Sequence, residues 1–419
     1  MNSFASRRIN HCVRLRALCA VFAGVVIASF GWQNDVCGEE GGRWRVGKPI
    51  VTYWAGPPLT EAVAAQLAEG GWNVVWGTEK DLETAAKHGL RLQLQDPLLS
   101  PASLDDPERR AKLDALIERV RSHPALYSYF LRDEPSAGDF PALGRLVEYL
   151  RQRDPMHLAY INLFPTYATN EQLGTKGDVV TAYREHLRLY LEIVKPDLIS
   201  YDHYQFRANS DGDQYFLNLS LIREFALASK LPFLNIVQAC SWTPSMRVPN
   251  GDELRYLVYT TLAYGAQGIS YYVYCWPNHV GGMANPDGTP TPLYHAAKVL
   301  NREFAAIAEE LQPLTSLAVY HVGSLPPGAV ALPAEAPFRI TSKSDAAAGF
   351  LLGYFGQADR SPTHVVVVNL NYRSPVVGEL TGPAPLERFD PHERRWEPLS
   401  ASTVSLDFLP GGGFLLRTR

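Results

Sequence analysis

Two adjacent carboxylates followed by proline, Asp133-Glu134-Pro135, are the residues of this 419-residue chain best suited to chemistry. They close the run Tyr127-Ser128-Tyr129-Phe130-Leu131-Arg132, which is otherwise mostly aromatic and apolar. Burying a carboxylate costs several kcal/mol unless it is paired, so two of them at such an exit need a reason. Proline cannot donate to a strand ladder, so Pro135 ends the run and leaves Glu134 at its rim. A partly desolvated glutamate keeps its proton to higher pH and can serve as a general acid. The structural alternative is that Arg132 pairs with Asp133 or Glu134 and the carboxylates cap the next helix. Other polar residues end apolar runs in the same way: Asn162; Asp202, His203 and Tyr204; Gln238, Cys240 and Trp242; Trp276 and His279. His203 and His279 have no HxH or HxxxH partner, and a hydrogen-bonding histidine is far commoner than a ligand. Neither a metal nor another cofactor is expected. Trp242 and Trp276 fall in loops beyond strand ends and fit ligand binding, whereas Trp72 fits packing.

These residues meet only if the chain brings its strand ends together. From residue 50, apolar strand-like runs (50–54, 73–76, 90–94, 125–131, 157–163, 197–204, 232–237 and 268–274) alternate with stretches of helical periodicity. Eight such units predict a closed (β/α)₈ barrel of the TIM type, and the span 50–311 suits a fold of about 250 residues. An open doubly wound sheet would carry a Gly-rich phosphate loop after its first strand. Tyr53-Trp54-Ala55-Gly56-Pro57-Pro58 is not one. In a barrel the active site lies at the C-terminal ends of the strands, which is where the polar residues above fall. Beyond Leu311 prolines punctuate the chain, helical periodicity stops, and strand-like runs follow at 317–322, 350–355, 364–370, 375–380, 403–408 and 413–416. The expectation is an α/β chain in three parts: a leader over 1–40, the barrel over 41–312, and a small all-β sandwich over 313–419.

Composition narrows the class. The chain is 46% hydrophobic and 20% charged, with net charge −4 and pI about 6.3, which gives no surface for nucleic acid. Aromatics reach 11%, in keeping with a flat ligand such as a sugar, or simply with a large core. Arg7, Arg8, Arg14 and Arg16 precede an uncharged, mostly apolar run over 17–30. That is the shape of a secretory signal and is short for a membrane span, so export to a periplasm or the medium is expected, with no stable membrane span afterwards. Cys12 and Cys19 leave with the signal. Cys240 and Cys275 end adjacent strands and could form a disulfide or remain two buried thiols.

The run Tyr129-Phe130-Leu131-Arg132-Asp133-Glu134-Pro135 resembles the fourth-strand Asn-Glu-Pro signature of glycoside hydrolase clan A, the cellulase and β-galactosidase barrels. The resemblance implies an acid/base role for Glu134, a sugar-contacting role for Asp133, and a sugar-stacking role for Trp276 in Tyr274-Cys275-Trp276-Pro277. The chain end, with Gly411-Gly412-Gly413-Phe414, looks like the β-domain often appended to such enzymes. Two departures matter. Asp133 stands where the clan has Asn, and strand seven lacks the nucleophilic Glu. Its nearest match is Gln238, and no acid lies between Leu231 and Asn250. Glycoside hydrolysis ordinarily needs two carboxylates, and Asp202 at the end of strand six is the best replacement. A third arrangement has Asp133 and Glu134 acting together through a substrate acetamido group. The chain therefore reads as a secreted glycoside hydrolase acting on a poly- or oligosaccharide. Glu134 and Asp202 would be catalytic, with Asp133, Asn162, His203, Tyr204, Gln238, Trp242 and Trp276 binding substrate. The amide at 238 raises one rival, a barrel that binds carbohydrate without turnover; a third class, a cell-surface scaffold, would require a filled or flat barrel mouth rather than a cleft.

Overall fold

A computed structural model describes residues 42–345 and 347–419; the leader, with Cys12, Cys19 and Cys37, lies outside them. Eight parallel strands form the barrel: β1 (Ile50–Trp54), β2 (Val74–Gly77), β3 (Arg91–Leu94), β4 (Leu126–Asp133), β5 (Leu158–Leu163), β6 (Ile199–His203), β7 (Phe233–Gln238) and β8 (Gly268–Tyr272). Their order is β1-β8-β7-β6-β5-β4-β3-β2. Side chains help to close the seam between β1 and β2. Asn73 N–H donates to Val51 O (3.0 Å), Val51 N–H donates to Asn73 Oδ1 (3.0 Å), and the indoles of Trp72 and Trp76 donate to Thr52 O (3.2 Å) and Tyr53 O (2.5 Å).

Alternation along each strand divides the barrel into two cores. Ile50, Val74, Leu158, Tyr160, Leu234 and Ile236 point inward and pack with Trp44 and Val46, which precede β1. The opposite parity joins the helices, among them Pro107–Val120, Phe140–Arg153, Tyr215–Ser229, Gly251–Ala263 and Pro292–Leu311. Their starts are written in the sequence. Asp106 accepts the N–H groups of Glu108 and Arg109 ahead of Pro107, and Asn250 forms a capping box with Glu253.

Past Leu311 come β9 (Thr315–Val322), β10 (Arg339–Ser342), β11 (Phe350–Gly356), β12 (His364–Asn369), β13 (Val376–Thr381), β14 (Leu386–Asp390), β15 (Arg395–Pro398), β16 (Thr403–Phe408) and β17 (Gly413–Thr418). They form two antiparallel sheets, ordered β9-β11-β12-β17-β14-β15 and β10-β13-β16. Sequence periodicity misses β10, β14 and β15. The last two form an edge hairpin of alternating charge, Leu386-Glu387-Arg388-Phe389-Asp390 against Arg395-Trp396-Glu397-Pro398, whose one-sided burial leaves little apolar signal. The four valines 365–368 show no alternation, because both faces of their sheet are covered. Val365 and Val367 meet Phe350, Leu380 and Phe408 between the two sheets, while Val366 and Val368 join the barrel core.

The sheet lies so close to the helix Gly251–Ala263 that a Cβ on Gly353 would stand 2.0 Å from Ala263 O. Gly353→Ala should therefore destabilise the protein by about 2 kcal/mol or more through overpacking, measured as a lower denaturation midpoint. An unchanged midpoint would mean that helix and sheet can separate at no cost.

Candidate active site

Two local irregularities bring the carboxylates of β4 together over the barrel mouth. Phe130 pairs with Tyr160, but Arg132 pairs with Ile161 and Asp133 with Asn162, so Leu131 is a bulge. The bulge shifts the alternation and aims Asp133, rather than Arg132, inward beside Asn162. Glu134 then adopts φ +43°, a left-handed conformation uncommon outside glycine, while its N–H donates to Asn162 O (2.9 Å). This turn folds the Glu134 side chain back toward β6, where its carboxyl lies within hydrogen-bonding reach of the Asp202 carboxyl.

Asn162 holds the group together. Its Nδ2 donates to Asp133 Oδ1 (3.1 Å) and to Asp202 Oδ1 (3.0 Å), and its Oδ1 accepts from Ser200 Oγ (3.1 Å). Ser200 Oγ lies 2.7 Å from Tyr160 Oη, so a single line of hydrogen bonds runs from the barrel lumen to the carboxylates. Arg132 is exposed and makes no ion pair among the described residues, and the next helical turn is capped by Ser136 and Asp139. The structural alternative for Asp133 and Glu134 is therefore not what the chain adopts.

Electrostatics follow from this crowding. Asp202 is 3% exposed, and burial together with the negative charge of Glu134 and Asp133 raises its pKa well above the usual carboxylate range. Glu134 is half-buried, and desolvation plus the Asp133 charge push it up to about 7, with the hydrogen bond from Asp202 opposing. Asp133 reaches solvent yet is walled by the mouth. Its pKa is raised by desolvation, against the Asn162 hydrogen bond and the Arg132 charge.

The aromatic rim gathers some of the expected residues and excludes others. Tyr204 and Trp242 pack with Tyr272, ring centroids 4.9–5.1 Å apart, and Tyr272 Oη lies 3.1 Å from His279 Nε2. Trp276 is 49% exposed on the loop after β8, outside that cluster. His203 is turned away from the barrel mouth. Its Nδ1 donates to Asn218 Oδ1 (2.9 Å) on the helix Tyr215–Ser229, and burial pushes its pKa down to about 4. The ring instead props Tyr167 edge-on (4.9 Å), whose hydroxyl accepts the Tyr204 N–H (3.2 Å). Sequence reasoning missed Tyr167. Its only signal is an aromatic two residues past Pro165, in the loop after β5.

Gln238 is also corrected. It is fully buried, and its amide is consumed by backbone. Its Nε2 donates to Phe206 O (2.9 Å), Arg247 O (2.8 Å) and Cys240 O (3.3 Å), while Oε1 accepts the Phe206 N–H (2.8 Å). It ties the loops after β6 and β7 and leaves nothing for a sugar. Cys240 and Cys275 are free thiols. Among the described residues no His, Cys, Asp and Glu group is arranged to hold a metal, and no helix is long and apolar enough to cross a membrane.

No family model and no curated protein matches the chain. Solved structures do match in fold. A glycoside hydrolase is 14% identical with TM-score 0.52, over 90% of this chain and 98% of that one. Xylanase 10B from Thermotoga maritima is 12% identical with TM-score 0.42, over 62% and 96%. An endo-α-mannosidase from Bacteroides thetaiotaomicron is 13% identical with TM-score 0.38, over 60% and 79%. The first of these likenesses spans the barrel and the strands that follow it, and at this identity it is a likeness of fold.

Two outcomes follow for this site. Gln238→Glu should not install a nucleophile. It sets a carboxyl against three carbonyl oxygens and should cost about 3 kcal/mol of stability, measured by chemical denaturation. A stability equal to that of the parent would refute the clamp. Glu134→Gln should gain stability relative to the parent as pH rises from about 4.5 through about 7. The parent carboxyl has a folded pKa above its unfolded value, so the native state binds the extra proton there and loses stability as it ionises. The buried histidines His186, His203, His321 and His364, pushed down to about 4, act oppositely over about pH 4 to 6.5. They are common to both proteins and cancel in the difference of melting temperatures.

Proposed function

We propose that the protein is an exported glycoside hydrolase that cleaves O-glycosidic bonds with the Glu134–Asp202 pair. The observation that carries this reading is the hydrogen-bonding reach between the two carboxyls, on strands four and six of one barrel mouth. Water-activating inverting sites separate their carboxyls by about 6.5–9.5 Å and covalent retaining sites by about 5–5.5 Å. A pair this close leaves no room for a water between its members, which speaks against the inverting arrangement, and the retaining course would need the pair to open by about 2 Å around the substrate.

In the proposed cycle the shared proton passes from Asp202 to Glu134 as substrate enters. Asp202 is left as a carboxylate held by Asn162 Nδ2–H, and Glu134 becomes the acid. Asp202 attacks the anomeric carbon, the glycosidic C–O bond breaks, and the leaving oxygen takes the Glu134 proton. Glu134 then removes a proton from water, which displaces Asp202 and restores the pair. Asp133 reaches solvent beside Glu134 and is placed to meet a sugar hydroxyl, and Tyr204, Trp242, Tyr272 and Trp276 offer ring faces. The fold likeness to a glycoside hydrolase agrees with this reading, and the basic-apolar start of the chain agrees with export.

A panel of polysaccharides and aryl glycosides should reveal turnover. Glu134→Gln and Asp202→Asn should each lower kcat/KM by about 10³-fold with the fold intact. Azide should restore turnover in both variants, giving a glycosyl azide of retained configuration from Glu134→Gln and of inverted configuration from Asp202→Asn. Full activity in Glu134→Gln would sink the assignment. Because one proton must be lost from the pair before it can act, the acidic limb of kcat/KM should lie near pH 7 rather than in the ordinary carboxylate range.

A further inference from the structure

The hydrogen bonds beneath the carboxylates have a direction, and that direction has a consequence. An asparagine amide can present either face. In the mouth its Nδ2 faces Asp133 Oδ1 and Asp202 Oδ1, and its Oδ1 faces down to Ser200 Oγ. The hydroxyl of Ser200 must then be the donor to Asn162, which leaves Tyr160 Oη as the donor to Ser200 at 2.7 Å. Ser200 is fully buried and Tyr160 and Asn162 nearly so, all on inward-facing positions of β5 and β6. No water is needed to complete the line, and no other side chain donates to Asn162 Oδ1 among the described residues.

We infer that Ser200, backed by Tyr160, is a positioning residue that locks the Asn162 amide with its N–H face toward Asp133 and Asp202, and so sets the pH at which the carboxyl group cluster gives up its proton. The inference rests on the paired-carboxyl reading of the mouth, but it concerns the resting protein and holds whether or not a glycoside is cleaved. The carboxylates alone attract the N–H face only while they are charged. Once Asp202 and Asp133 are protonated, an amide free to turn would offer them its carbonyl and accept their protons instead. That arrangement favours the neutral forms. A fixed amide donates throughout and favours ionisation.

The groups that titrate with Asp202 are the other two carboxyls of the cluster, and the remaining titratable groups facing it among the described residues are phenols. Asp133 and Glu134 face it from β4, Tyr160 from β5, Tyr167 and Tyr183 from the segment after β5, Tyr201 and Tyr204 flank it in sequence, and Tyr272 faces it from β8. Burial holds these phenols neutral. The cations Arg132 and Arg207 act on Asp133 and on the His203 side respectively.

The test reads the carboxyls directly. Infrared difference spectra of the protonated-carboxyl band, recorded across a pH titration of the whole protein, give the midpoint at which the cluster ionises. Ser200→Ala should raise that midpoint by about one pH unit, the size expected for losing one hydrogen bond to a charged group. Ser200→Thr, which keeps the hydroxyl, should restore it. Ser200→Cys, of nearly the same size and a weak donor, should behave as Ser200→Ala and serves if the alanine variant fails to fold. A midpoint unchanged from the parent in folded Ser200→Ala or Ser200→Cys overturns the inference. If the protein hydrolyses a glycoside, the acidic limb of kcat/KM should move up by the same amount with little change in KM. A shifted infrared midpoint in a protein without turnover would uphold the lock while rejecting the hydrolase reading.

Discussion

Three carboxyl groups share one barrel mouth with a single amide donor between two of them and, among the described residues, no ion pair to any of them. The rest of the site answers to that constraint. Two unit charges about 4 Å apart repel by about 4 kcal/mol at an effective dielectric of 20. A hydrogen bond to a charged group returns only about 1.5–3 kcal/mol. Repulsion outweighs that one bond, so ionisation of the cluster is disfavoured, and most of all at Asp202, which has lost the most solvent.

The backbone is bent to make this crowding possible. A regular β4 would send Asp133 outward and put Arg132 and Glu134 on the inward parity. The bulge at Leu131 rotates one into the mouth, and the left-handed turn at Glu134 folds the other over it. Both distortions are anchored by one residue of β5: Asn162 O accepts the Glu134 N–H, and the Asn162 side chain reaches Asp133 and Asp202. The lumen below is polar where an ordinary barrel interior is aliphatic, with Ser128 bonded to Gln93 and Ser200 to Tyr160. That polarity gives the Asn162 carbonyl a partner in a place water would otherwise have to fill.

Sequence periodicity located all eight barrel strands to within a few residues, because a strand buried on both faces is a continuous apolar run and the intervening helices carry their own caps. It also placed the candidate residues at the correct end of the barrel. Orientation was not legible in the same way. Asp133 faces inward only because of a bulge that no residue type announces, and counting by twos from Phe130 would aim Arg132 there instead. His203 follows Asp202 by one position, so the parity that turns Asp202 inward turns His203 out to Asn218. Tyr167 lies in a loop whose path depends on the buried Asn218, which accepts both the Thr166 N–H and the His203 proton. That contact spans 52 residues and leaves no local trace. The hairpin of β14 and β15 was invisible for the converse reason, since an edge strand rich in charge has too little apolar alternation to register.

Gln238 shows why the type of a residue at a familiar position is weaker evidence than what it touches. In a barrel with a strand-seven nucleophile, that position must present an ionised carboxylate to the mouth. Here the same position must satisfy three backbone carbonyls and one backbone N–H. Of the amide and its isosteric carboxylate, only the amide can both donate and accept; the carboxylate would leave the carbonyls unpaired and add a buried charge. The loops after β6 and β7 are thus built around the amide, and they in turn carry Tyr204 and Trp242 to the rim. A second carboxylate could still be supplied one strand earlier, because Asp202 keeps the inward parity and stands beside the strand-four pair across only β5. The amide at strand seven and the aspartate at strand six thus divide two tasks between neighbouring strands, one holding the loops and the other carrying the buried carboxyl.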